Sequence, residues 1–431
     1  MTENDGELEV VGILSDLIRI DTTSTRRPER PAAELVAQLL DEVGIESRIY
    51  EGEPGRSNVV ARIAGEDPTR PALLVHGHLD VVPAEADEWS VDPFSGEVAD
   101  GCVWGRGAVD MKDMDAMVLT VLRRWAREGR KPPRDLVIAF LADEEMGSVA
   151  GSRWLTSKHP EIFADCSEAI GEVGGFSVSL DDQARLYLLQ TAEKGLAWMR
   201  LRATGRPGHG AMDHPDNAVV RLAAAVTRIG SYRFPTSVRP EVRALLDELE
   251  PLIGRSLDPC DAQEWLPEVG GLARILGASL RNSANPTRLD AGYQNNVVPS
   301  SAEAVIDARF LPGQEAELMA DLRMLAGDGV DLEVLTHGPA LETEFSGSLV
   351  DAMCSAILAE DPQGIPVPYM LTGGTDAKVF SPMGIRCFGF APLRLPAELD
   401  FPSLFHGIDE RVPVDALQFG VRVLDRFLAR C

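Results

Sequence analysis

A chain of 431 residues, 45% hydrophobic and 25% charged, has the composition of a globular protein with room for two or three domains. Its formal net charge of −27 argues against nucleic acid and anionic membrane surfaces as partners, because both select basic faces. Residues 1–10 lack the basic and apolar regions of a secretion signal, and no apolar run reaches the roughly 18 residues of a membrane span. The 6 cysteines stand without CxxC spacing, so the expectation is a reduced, cytoplasmic protein rather than a zinc ribbon or a disulfide scaffold.

Residues 7–20 place Leu8, Val11, Leu14 and Ile18 on one helical face, and a second helix over 31–43 stops at Gly44. Residues 57–63 and 72–75 read as strands, the second running into a turn, Gly77-His78-Leu79-Asp80, that presents His78. Asp80, two residues on, can orient that imidazole through its carboxylate. After an irregular loop, the Gly-rich stretch 101–110 leads to a helix from Asp110 to residue 128. The continuous apolar run 136–142 predicts a strand buried on both faces and ends at Asp143-Glu144-Glu145; a helix over 152–157 and a strand closing at Gly171-Glu172 follow.

From Lys194 the texture changes. Residues 196–203 alternate like an antiparallel strand, a loop carries His209 and His214, and a helix spans 217–229. Broken stretches then lead to Asn296 and a strand over 304–310. The expected organisation is a catalytic domain of mostly parallel α/β type in two parts, 1–193 and 313–431, with an inserted α+β lid or dimerisation domain over 194–312. The second part holds helices over 316–326 and 348–358, a strand over 330–335, the turn Gly373-Gly374-Thr375-Asp376, a strand over 386–390, and a final helix from Val414 preceded by His406.

In a parallel sheet, sites gather at the carboxyl ends of strands. His78, Asp80, Glu144, Glu145 and Glu172 fall at such ends, with Asp110 at a helix start beside them. That many carboxylates on one rim repel unless cations hold them together, which is the physical argument for metal.

The segments GHLDVVP (77–83), GRGAVDMK (105–112), ADEEMGS (142–148), Gly171-Glu172 and HGIDERV (406–412) together resemble the M20 metallopeptidases. That family includes glutamate carboxypeptidases, desuccinylases, acetylornithine deacetylases, aminoacylases and dipeptidases. The resemblance implies two zinc ions per chain, with cobalt or manganese as alternatives. Asp110 would bridge them, His78 and Glu172 would complete one site, and Glu145 and His406 the other. It further implies that Asp80 orients His78 and that Glu144 is the general base toward a metal-bridging water. His209 would enter the partner's site in a homodimer, and Asn296, Arg309, Gly374 and Thr375 would contact substrate. The implied activity is zinc-dependent hydrolysis of the amide bond of a small peptide or N-acyl amino acid bearing a free carboxylate. The alternatives are a desuccinylase or deacetylase of a biosynthetic intermediate, and a metal-free binding member of the fold. His76 is expected to be packed and His214 to lie on the surface. Two departures from the family pattern stand out: Asp113, which would add negative charge beside the metal turn, and Val173, where proline is common.

Overall fold

The computed structural model describes residues 3–25, 27–180 and 184–431. The chain divides into two compact units: Met1–Thr191 with Thr343–Tyr369 and Thr375–Cys431, and Ala192–Glu342 with Met370–Gly374.

The first unit is built on a mixed sheet. Ser47–Glu53, Arg56–Ile63, Leu136–Leu141, Ala72–His78, Cys166–Gly171, Arg386–Gly389 and Ala184–Glu193 lie side by side in that order. The centre is parallel: Ala72–His78 runs alongside Leu136–Leu141 and Cys166–Gly171, and the latter alongside Arg386–Gly389. Every residue of Leu136–Leu141 and Ala72–His78 is buried, as continuous apolar runs in a doubly covered sheet must be. Glu3–Arg19, Lys112–Glu128 and Val414–Leu428 pack on one another. The last buries Leu417, Val421, Leu424 and Leu428, a stripe at helical spacing. Two expectations change. The strand does not stop at Val75 but continues through His78, because His76, Gly77 and His78 pair with Ala139, Phe140 and Leu141. Ser47–Glu53 and Ala184–Glu193, which no periodicity singled out, extend the sheet on either side, each antiparallel to the strand it pairs with.

The second unit carries a four-stranded antiparallel sheet, ordered Ser283–Ala291, Ser301–Phe310, Gly195–Thr204, Val330–Gly338. Ala197, Met199, Leu201 and Ala203 alternate inward onto Leu222, Ile229, Leu318 and Leu322 of the helices Ala218–Ser231 and Glu315–Ala326. Glu315–Ala326 and Val330–Gly338, expected beyond residue 312 in the other unit, belong here: Val330–Gly338 pairs along the whole edge of Gly195–Thr204. The stretch expected to be broken is helical at Pro240–Ile253, opened by a proline in its first turn and stopped by Gly254 at φ +81°, and again at Leu272–Ser279.

Candidate metal centre

His78 is the last residue of its strand and Glu172 the first after Cys166–Gly171, so adjacent parallel strands deliver both to one rim. Asp110 precedes the helix Lys112–Glu128 and does not cap it. Its Oδ1 lies 3.1 Å from His78 Nε2, and Glu172 Oε2 lies 3.5 Å from the same nitrogen. On its other side, Asp110 Oδ2 lies 3.2 Å from His406 Nε2, itself 3.3 Å from Glu145 Oε2. His78, Asp110 and Glu172 thus form one cluster able to hold a cation, Asp110, Glu145 and His406 a second, and the Asp110 carboxylate belongs to both.

The electrostatics are those of a rim built for positive charge. Burial alone would raise the Asp110 carboxyl, but the imidazoles of His406 and His78 hold it well below the usual carboxylate range. Burial opposes charging of His78, yet Glu172 and Asp110 push its imidazole well above the ordinary value; hydrogen bonds to Asp110 and Glu145 raise His406 to about 10. The Glu172 carboxyl rises to about 8, chiefly by burial. The half-buried Glu144 is also pushed well above its normal value, first by loss of water around its carboxyl and then by the charge of Glu172. Glu145 Oε1 is buried without a hydrogen-bond partner among the described residues. Imidazole and carboxylate donors, an orphaned carboxylate oxygen and one shared carboxylate fit a pair of divalent cations such as zinc.

The role expected of Asp80 is redistributed. His78 Nδ1 is 2.9 Å from the main-chain carbonyl of Asp80, while the Asp80 carboxylate stands 3.7 Å away. That carboxylate instead accepts the backbone N–H groups of Glu144 at 3.0 Å and Glu145 at 3.1 Å. Asp80 therefore orients the histidine with its backbone and holds the two glutamates with its side chain.

Further residues, quoted in the motifs but given no role, brace the ligands. Glu410 Oε1 accepts the N–H groups of Gly107, Val109 and Asp110 at 2.7–3.1 Å. Arg106 pairs with Glu410 and donates to the carbonyl of Gly407 at 2.9 Å, tying the loop of His406 to the loop of Asp110. Asp376 Oδ1 accepts the hydroxyls of Ser148 and Ser152. The signal available in sequence was the residue type alone: charged letters inside otherwise small or apolar motifs.

Thr375 is buried and its hydroxyl accepts the N–H of Ala377, while Gly374 is exposed. In the second unit, Gly208–His209 pairs with Val297–Val298 and the N–H of Gly210 donates to Asn296, so His209 and Asn296 are neighbours. His209 is exposed; His214, expected on the surface, donates from Nε2 to the His209 carbonyl at 2.9 Å and packs on Gly208. The Arg309 guanidinium is held by Asp307 through both carboxylate oxygens, at 2.7 and 3.1 Å. His76 is buried against Phe380. The charge expected of Asp113 is suppressed, because burial pushes its carboxyl well above the usual range. Val173 sits at φ +57°, a conformation proline cannot adopt, which accounts for the departure there.

Residues 74–430 match the sequence profile of "Peptidase family M20/M25/M40". The chain belongs to this family. Aminoacylase-1 of Sus scrofa is 27% identical over 99% of this chain and 96% of its own length. N-fatty-acyl-amino acid synthase/hydrolase PM20D1 of Xenopus tropicalis is 27% identical over 96% of this chain and 84% of its own. Among solved structures, the M20 family metallo-carboxypeptidase Sso-CP2 of Sulfolobus solfataricus superposes with a TM-score of 0.74 at 17% identity, covering 98% of this chain and 99% of that one. The dinuclear metal-binding YXEP protein of Bacillus subtilis gives 0.61 at 13%, covering 99% and 98%. This M20 member is a hydrolase with the mixed α/β architecture of the family. Among its described residues, no helix is long and apolar enough to cross a membrane.

Proposed function

We propose that this protein hydrolyses the amide bond of an N-acyl amino acid or small peptide with a free carboxylate, using two zinc ions. The observation that carries this reading is the pair of three-ligand clusters sharing Asp110. His78 and Glu172 would hold one ion, Glu145 and His406 the other, and Asp110 both. The bound metals supply an acidified water and polarisation of the scissile carbonyl. The chain's residues do the rest. Glu144, anchored through its N–H to Asp80, takes the proton of the attacking water and returns it to the departing amine. The aminoacylase-1 and PM20D1 relatives favour an acylated amino acid over a longer peptide. The second unit acts as lid and dimerisation domain, with Asn296, Arg309 and Gly374 toward substrate and His209 toward the site of a second copy; Thr375, of the first unit, would also contact substrate.

Elemental analysis of active protein should give two divalent ions per chain. Glu144→Gln should lower kcat by about 10²–10⁴ on an N-acyl amino acid with both ions retained. A variant keeping more than about a tenth of wild-type kcat would remove Glu144 from the reaction.

A further inference from the structure

A cavity of about 490 Å³ lies wholly within the second unit, at the end of the helix Ala218–Ser231 and the start of the strand Ser283–Ala291. Its size is that of a small-molecule pocket. In a chain of net charge −27 it is lined by four cationic side chains, Lys194, Arg233, Arg281 and Arg309, and a single carboxylate, Asp307. Asp307 is spent on Arg309, both of its oxygens engaging that guanidinium. Arg233 and Arg281 are left facing the cavity without a carboxylate partner among the described residues. Lys194 is buried and donates to the main-chain carbonyl of Arg281, a neutral acceptor. Arg281 reaches the Thr236 hydroxyl at 3.4 Å, and among the described residues no carboxylate pairs with it or with Arg233.

We propose that this cavity is a binding site for a dicarboxylate, held by Arg233 and Arg281 and separate from the Arg309–Asp307 pair. One carboxylate would leave one of these two guanidinium groups uncompensated, whereas two carboxylates on a short spacer match both groups and the volume. Asn285, on the same wall, adds an amide donor. The repulsion already present supports the assignment. Burial and the charge of Arg233 lower Arg281, and burial together with Arg309 and Arg281 lowers Lys194 to about 8, a mutual repulsion that a dianion relieves. Planar guanidinium forks suit carboxylates in particular. The dicarboxylate has two chemical sources: the amino-acid part of an acidic substrate, N-acyl-aspartate or N-acyl-glutamate, or a free dicarboxylate acting as effector. The first source rests on the hydrolase reading above; the binding site itself does not.

Calorimetric titration of the full-length, metal-loaded protein with succinate, and with acetate at matched ionic strength, tests the site. Saturable succinate binding should be at least about tenfold tighter than acetate. Arg281→Gln and the more exposed Arg233→Gln should each weaken it about tenfold or more, the loss of one charge-assisted contact. Arg243→Gln, outside the cavity, should not. Succinate binding no tighter than acetate, or indifferent to both Arg281→Gln and Arg233→Gln, as it would be at the metal ions, overturns the proposal. Given binding, kcat/KM identifies the source. If Arg281→Gln lowers the preference for N-acetyl-glutamate over N-acetyl-leucine about tenfold, the dicarboxylate is part of the substrate; an unchanged preference with succinate binding lost makes it a free effector. Arginine-dependent succinate binding in a protein that cleaves no N-acyl amino acid or dipeptide upholds the site and sinks the hydrolase substrate reading instead.

Discussion

The Asp376 carboxylate joins the turn of Thr375 to the segment just after Glu144 and Glu145, through the hydroxyls of Ser148 and Ser152. All three side chains are buried, so the energetics depend on whether each hydroxyl keeps an acceptor. Asp376→Asn retains Oδ1 and should cost about 1 kcal/mol or less, with most of kcat preserved. Asp376→Ala leaves two buried donors unsatisfied, about 1–3 kcal/mol each, and should lower kcat as the glutamate turn loosens. The Ser148→Ala/Ser152→Ala double variant separates bonding from charge: it keeps the carboxylate but removes both bonds. If its kcat matches wild type while that of Asp376→Asn collapses, the charge of Asp376 matters and not its hydrogen bonds. Chemical denaturation and steady-state kinetics on the three variants decide. At this scale the members of the two candidate clusters were legible in the sequence and the residues that brace them were not. His78, Glu145 and Glu172 stand at strand ends, a position that hydrophobic periodicity reports. Arg106 and Glu410 are 304 residues apart, and no local pattern announces such a pair.

Among the elements, the central parallel strands are packed to the point where one methyl group is too many. A Cβ on Gly171 would lie 2.3 Å from the His76 ring, which rests against Phe380. Gly171→Ala should therefore destabilise the first unit by about 1–3 kcal/mol, the usual cost of overpacking. It should also weaken metal binding at the neighbouring Glu172. Combining it with His76→Ala should cost less than the sum of the two changes, because the second removes what the first strikes; strict additivity would refute the contact. The helix Pro240–Ile253 offers a pH-dependent counterpart. Burial pushes the Glu241 carboxyl to about 7, above its unfolded value near 4.5. The folded state therefore holds its proton more tightly. The contribution is fully present below about pH 4.5 and is lost as pH rises through 7, a change of up to about 3 kcal/mol. Glu241→Gln should flatten that part of the stability profile, measured by denaturation of the second unit between pH 5 and 8. An unchanged profile would mean that Glu241 ionises freely. The strands and helices with strong period were legible before the structure. The half-exposed Ser47–Glu53 and the edge pairing that draws Val330–Gly338 into the second unit were not, because both are decided by partners distant in sequence.

For the whole molecule, the two units carry different parts of the proposed machinery. The first holds the ligands and Glu144; the second holds His209, exposed and fixed beside Asn296 by the pairing of Gly208–His209 with Val297–Val298. His214 steadies that loop through the His209 carbonyl, and His209 Nδ1 accepts the N–H of Ala211 at 3.1 Å, which leaves Nε2 as the nitrogen able to donate. If His209 donates to the developing oxyanion in a second copy's site, its loss should cost about 10²–10³ in kcat. Metal content should not change in His209→Ala. Complementation tests the sharing directly. Each site in a dimer would then need Glu144 from one chain and His209 from the other. In a mixed dimer of Glu144→Gln and His209→Ala chains, the His209→Ala chain supplies an intact Glu144 and receives the other chain's His209, so one of the two sites is complete. The other site lacks both groups. Mixed dimers, isolated with two affinity tags, should show about half the wild-type kcat per dimer, although each parent is nearly inactive. Dead mixed dimers, or an active species that sediments as a monomer, would return His209 to its own chain and leave the second unit no part in a shared site.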